Sequence, residues 1–185
     1  MLNITQRKQL LILARDSILT VFAGKRPELN AEAFDPDLQR PAGAFVTLTE
    51  HDDLRGCIGT IEPVAPLYLA VSQSAVSAAF RDPRFHPLRA EELPEVEIEI
   101  SVMGPIERVT DINDIVVGRD GLIIQRGGYA GLLLPQVATD YGWDRETFLC
   151  HTCMKAGLPT EAWRLAGTRI EKFSAEVFGE EELSV

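Results

Sequence analysis

Within Leu54-Arg55-Gly56-Cys57-Ile58-Gly59-Thr60 an arginine stands two residues before a cysteine, with one glycine between them and another two residues further on. A guanidinium beside a thiol favours the thiolate, the nucleophilic form, so this spacing on a strand predicts chemistry at sulfur. In an extended stretch Leu54, Gly56 and Ile58 share one face, while Arg55, Cys57 and Gly59 share the other. Gly56 and Gly59 then remove side chains where another backbone or a ligand must come close. Two readings compete with this. Free cysteine is among the most buried residue types and packs as a small hydrophobe. A bulge at Gly56 would turn Arg55 away from the thiol.

A second polar group follows in Phe80-Arg81-Asp82-Pro83-Arg84-Phe85-His86-Pro87. Prolines fix this turn while charged side chains crowd it, an arrangement that holds polar groups at the end of an element. The planar fork of arginine suits carboxylate or phosphate, so Arg81 and Arg84 are candidate anion ligands with Asp82 beside them. Surface ion pairs, worth roughly 0 to 1 kcal/mol each, are the simpler alternative. His86 reads as structural. Gln136 opens a helix after three leucines and either orients a ligand or caps backbone. Cys150-His151-Thr152-Cys153 has C-x-x-C form, but a structural zinc needs four ligands and only one such pair exists, so no metal or other cofactor is expected.

The elements that must position these groups follow from pattern. Asn3-Ile4-Thr5-Gln6 has the form of a capping box, and Leu11, Ala14, Ile18, Val21 and Phe22 recur at helical spacing, predicting an amphipathic helix within residues 1–24. Residues 25–42 are proline-rich, with one helical turn near Glu28 to Ala33. Residues 43–49 and 54–61 read as a β-hairpin, and a helix carrying Leu67, Val71, Ala75, Ala78 and Ala79 runs on to Pro83. Leu93 to Val102 alternates, with Glu95, Glu97 and Glu99 on a wet face, which favours an antiparallel sheet. Past Gly104-Pro105, residues 116–118 and 122–125 read as strands around a turn, 131–134 as another strand, and 136–141 as a short helix. Asp144 caps a further helix, and 163–165 and 170–178 read as β. The tail from Gly179 to Glu182 is acidic and reads as frayed. Strand, helix and strand thus recur in 43–102 and 116–178, which predicts an internal duplication with a ligand cleft between similar halves.

Composition narrows the function. The chain has 185 residues with 18 basic against 28 acidic side chains, a formal charge of −10 that disfavours nucleic acid as partner. Fourteen of the basic residues are arginine, and Arg55, Arg81, Arg84 and Arg89 cluster in sequence. No apolar run reaches the length of a membrane span, the start lacks a signal-peptide layout, and three cysteines fit a reducing compartment. A cytoplasmic protein that does not engage a membrane is expected.

Several of these segments, taken together, resemble the AMMECR domain: 43–48, Leu54 to Gly59, Ala78 to Phe85, 97–101 and 131–137, with Cys153 to Leu158 and Trp163. The resemblance spans nearly the whole chain in order. It implies a single α+β domain over residues 1–185, in two parts, with the Leu54 to Gly59 motif near a cleft. For microbial members it implies a Memo-type protein and a radical SAM protein as partners, and it implies no established reaction. Two functions follow as expectations. One is an enzyme or enzyme component for a small anionic substrate, with Cys57 as nucleophile, Arg55 as its electrostatic partner, and Gly56, Gly59, Arg81, Asp82, Arg84 and Gln136 around the substrate. The other is a non-catalytic module that binds a partner protein or metabolite through the same cleft, with Gly56 and Gly59 allowing close approach and Cys57 only packing.

Overall fold

The structure is a computed structural model and describes residues 1–183. It is α+β with antiparallel strand pairs, as the alternation of residues 93–102 requires. The chain divides into two compact units, residues 1–103 with 176 onward, and residues 104–175.

In the first unit Asn3 caps α1 (Ile4–Phe22), its side chain accepting the Gln6 amide while Gln6 returns a bond to the Asn3 amide. The helix buries Leu10, Leu11, Ala14 and Ile18 completely. The hairpin is β1 (Ala44–Glu50) and β2 (Asp53–Thr60), joined through His51 and Asp52, both at positive φ as a type I′ turn requires. Helix α2 (Leu67–Phe80) packs on it, its alanines permitting close approach. Strand β3 (Val96–Arg108) begins here and pairs with β1, so the order is β2-β1-β3 with β2 at the edge. Glu95, Glu97 and Glu99 are on the exposed face as expected.

The acidic tail is not frayed over the described residues. Glu180 is 7% exposed, accepting Arg15 through both oxygens at 2.7 and 2.6 Å and the Ile98 amide at 2.9 Å. A buried glutamate held through both oxygens by a half-buried guanidinium is anchored whatever its neighbours' charge.

The second unit holds the hairpin of β4 (Asp120–Arg126) and β5 (Tyr129–Leu133), then α3 (Pro135–Asp140), α4 (Arg145–Lys155) and most of β6 (Arg169–Gly179). Strand β4 pairs with β5 on one side and β6 on the other. Leu122, Ile124, Phe148, Leu149 and Cys153 form its core. Two expected strands are absent. Residues 116–119 form a turn, because the Asp120 carboxylate accepts the Val116 amide at 2.9 Å and closes it. Trp163 lies in a 3-10 turn (Thr160–Arg164) begun by Pro159. Both units share a hairpin, a helix and a strand returning beside the first hairpin strand. That is a likeness of connectivity, from which we infer no duplication.

Candidate functional site

The register of the first hairpin decides where the arginine and the thiol go. Leu48 pairs with Gly56 but Thr49 pairs with Leu54, so Arg55 is the extra residue of a β-bulge. The bulge reverses the alternation before it: Leu54, expected on the core face with Ile58, is 43% exposed. Arg55 turns away from the thiol. Its guanidinium forks onto Glu92, Nε to Oε1 at 3.1 Å and Nη2 to Oε2 at 3.3 Å, and donates Nη1 to the His86 carbonyl at 3.0 Å. The pairing of Arg55 with the Cys57 sulfur expected from their spacing is therefore not made. The sulfur, in a half-buried residue, instead accepts the hydroxyl of Thr47, its partner across the hairpin, at 3.3 Å.

Both glycines of the motif are accounted for by protein packing. A Cβ on Gly56 would overlap the Ala78 carbonyl oxygen at the end of α2, and one on Gly59 would overlap the ring of Phe45 and the carbonyl of Ala44. At both positions the space a side chain would take is filled by the protein's own backbone and ring atoms.

Asp82 and Arg84 do meet Cys57, through its main chain. Strand β2 is an edge, and the Cys57 amide and carbonyl turn outward where a neighbouring strand would lie. The Asp82 carboxylate takes that amide at 2.9 Å and Arg84 Nη2 donates to that carbonyl at 3.2 Å, so the two side chains substitute for a strand. They also hold each other. Arg84 donates Nε and Nη2 to Asp82 at 3.0 and 2.7 Å, and its own amide donates to Oδ1 at 3.1 Å in a turn that Pro83 stiffens. Asp82 is 4% exposed. Arg84 holds its carboxyl well below the usual carboxylate range; burial opposes this, and the Cys57 and Arg84 amides reinforce it.

Beyond this clamp the segment from Pro83 to Glu92 folds around a hollow of about 600 Å³. Arg55, Arg84, Arg89 and His86 line it, with Glu92 as its one carboxylate. Glu92 also accepts the Arg89 amide at 2.7 Å and Nε at 3.2 Å. Arg55, with help from Arg89 and against its burial, brings the Glu92 pKa down to about 2. Three guanidiniums share two carboxylates, Glu92 in the lining and Asp82 holding Arg84, and donors are left over. Among the described residues Arg84 Nη1 and both terminal nitrogens of Arg89 have no protein acceptor. Arg81 is exposed, pairs with no described residue and is not in the lining. Cys57 is not in the lining either.

The depressed carboxyl at Glu92 gives a pH prediction. Because its folded pKa lies below the ordinary 4.5, its contribution to stability is complete above about pH 4.5 and disappears as pH falls through about 2. The melting temperature of the wild-type chain is expected to fall more steeply across that window than that of Glu92→Gln. Parallel curves would show that the pair with Arg55 adds nothing to stability.

Sequence reasoning missed Glu92 because its partner lies 37 residues away. The signal it left is a pair of arginines, Arg84 and Arg89, shortly before the acidic pair Glu91-Glu92. Gln136 lies in the second unit on α3, where its Oε1 is buried with no hydrogen-bond partner among the described residues. Cys153 is fully buried in that unit's core, and burial raises both its pKa and that of Cys150, whose sulfur lies 3.5 Å from Glu161. A raised thiol pKa leaves less of the reactive thiolate at that pair.

The arrangement of strand, clamp and hollow is carried by residues in segments that a family profile also matches: the AMMECR1 family, over residues 11–178. The chain belongs to the AMMECR1 family. It is 50% identical over 153 residues to a protein of Methanothermobacter thermautotrophicus, covering 79% of this chain and 80% of that one. Protein MJ0810 of Methanocaldococcus jannaschii is 43% identical over 177 residues, covering 91% and 87%. The crystal structure of uncharacterized protein PH0010 from Pyrococcus horikoshii superposes with a TM-score of 0.85 at 43% identity, covering 93% of this chain and 90% of that one. The α+β fold implied by the AMMECR resemblance is thus confirmed. Among the described residues no helix is long and apolar enough to cross a membrane.

Proposed function

We propose that this AMMECR1-family chain binds a small molecule bearing carboxylate or phosphate groups in the hollow of the Pro83 to Glu92 segment, with Arg84 and Arg89 as its ligands. The observation that carries this reading is the surplus of guanidinium donors: three arginines line the hollow against two carboxylates, Glu92 in the lining and Asp82 holding Arg84, and terminal nitrogens of two arginines remain without an acceptor. Arginine forks recognise planar anions through paired hydrogen bonds, and Arg55, fully engaged, shapes the wall. The hollow has the volume of a small-molecule site. Non-covalent binding is favoured over thiol chemistry here because the Cys57 sulfur is outside the lining.

A second reading keeps Cys57 as a nucleophile for an anionic substrate. It is supported by the incomplete burial of that residue and by the Thr47 hydroxyl donating to its sulfur. The Memo-type and radical SAM proteins implied for microbial members are candidate partners of the non-covalent binding reading.

Calorimetric titration with citrate and with inorganic phosphate at low salt separates these. Arg89→Ala, a change at a side chain 74% exposed, is expected to weaken citrate binding by about tenfold or more with the melting temperature unchanged. Cys57→Ser is expected to bind as the wild type does. Equal binding by wild type and Arg89→Ala would overturn the proposal, and loss of binding in Cys57→Ser alone would favour the thiol reading.

A further inference from the structure

In the second unit the hairpin of β4 and β5 closes on Gly127 and Gly128, with Arg126 opposite Tyr129 and Gly127 at positive φ. A two-residue turn makes that closing pair hydrogen-bonded, so alternate residues of β5, Ala130 and Leu132, point their amides and carbonyls away from β4. Strand β5 is the last in its order, and no described residue bonds those outward groups. An edge left this way is ordinarily protected by a charge, a proline or a bulge. Tyr129-Ala130-Gly131-Leu132-Leu133 has none of these, and its pairing with β4 is regular throughout.

The surroundings of this edge are basic although the chain as a whole is acidic. Arg126 uses only Nη1, on the Ala166 carbonyl at 2.7 Å and Thr168 Oγ1 at 3.0 Å, and faces a hollow of about 510 Å³ shared with Tyr129 and Leu158. Lys155, exposed and without a side-chain partner among the described residues, ends α4 beside Gly131. Tyr129 is 60% exposed.

We propose that the free edge of β5 docks an extended acidic segment of a partner protein. The segment adds as a strand, bonding the main chain of Ala130 and Leu132, with a carboxylate on Arg126 and an apolar side chain against Tyr129 and Leu158. A second copy of this chain fits the edge poorly. Antiparallel pairing about Gly131 would bring the two Lys155 ammonium groups together with no carboxylate between them.

The test uses the full chain and two blocked pentapeptides of alternating valine and threonine, one with glutamate at its second position and one with lysine there. The glutamate peptide is expected to slow hydrogen exchange of the Ala130 and Leu132 amides and to bind about tenfold more tightly than the lysine peptide. Ala130→Pro removes one outward amide at an edge position where proline is tolerated, so it is expected to abolish binding and keep the fold. Arg126→Glu is expected to reverse the preference between peptides, and serves if Ala130→Pro does not fold. No protection by the glutamate peptide, undiminished binding in a folded Ala130→Pro, or an unchanged preference in Arg126→Glu overturns the proposal. So does a dimer of the wild type, seen by ultracentrifugation, that Ala130→Pro dissolves, because the occupant would then be a second copy.

Discussion

Asp82→Ala is expected to destabilise the chain by roughly 3 kcal/mol, since bonds to an ionised group contribute about 1.5 to 3 kcal/mol each but are partly replaced by water. Four bonds end on this carboxylate: the Cys57 and Arg84 amides, and Arg84 Nε and Nη2. Arg84, 54% exposed along its side chain, recovers solvation when Asp82 is removed, whereas the Cys57 amide at the strand edge is left without its acceptor. The figure lies below the summed bond strengths for that reason. At about 2 to 4 °C per kcal/mol for a chain of this size, the melting temperature drops by roughly 6 to 12 °C. Equilibrium unfolding in urea measures the loss directly. A loss under about 1 kcal/mol would mean that the carboxylate does not serve β2 as a substitute strand.

Gly56→Ala is expected to cost about 3 kcal/mol, the upper end of the usual range for overpacking. The added methyl meets the carbonyl oxygen of Ala78, and both partners are backbone, so no rotamer change relieves the overlap. Strand β2 and the end of α2 must separate, and that junction is where Asp82 and the hollow begin. Gly128→Ala is the control: its Cβ would meet nothing within 4 Å, and its stability is expected to stay within about 0.5 kcal/mol of wild type. The two variants compared by urea unfolding separate loss of glycine as such from loss of close approach. Similar values for both would contradict the packing account of Gly56.

Local signals in the sequence were good guides to elements and poor guides to the site. The Asn3 to Gln6 capping box, the spacing of Leu67, Val71 and Ala75, and Asp144 before Phe148 are each fixed within a few residues, and the helices stand where those patterns put them. Alternation in residues 96–102 announced β3, but the strand runs on to Arg108 through Gly104, whose missing side chain admits Ser174. Arg55 misled for a different reason. Period-two alternation assumes an unbroken ladder, and one inserted residue sent the guanidinium to Glu92 instead of to the sulfur. Asp82 and Arg84 were legible as a charged turn, yet their target, the backbone of Cys57, carries no side-chain signature.

Chemical-shift mapping of the wild-type chain during a citrate titration at low salt addresses the arginine-lined hollow most directly. The backbone amides of Arg84, His86, Arg89 and Glu92 and the guanidinium groups of the two arginines are expected to shift together and saturate along one binding curve. Shifts that do not saturate, or a saturating set that leaves the 83–92 segment unmoved, would contradict anion binding there.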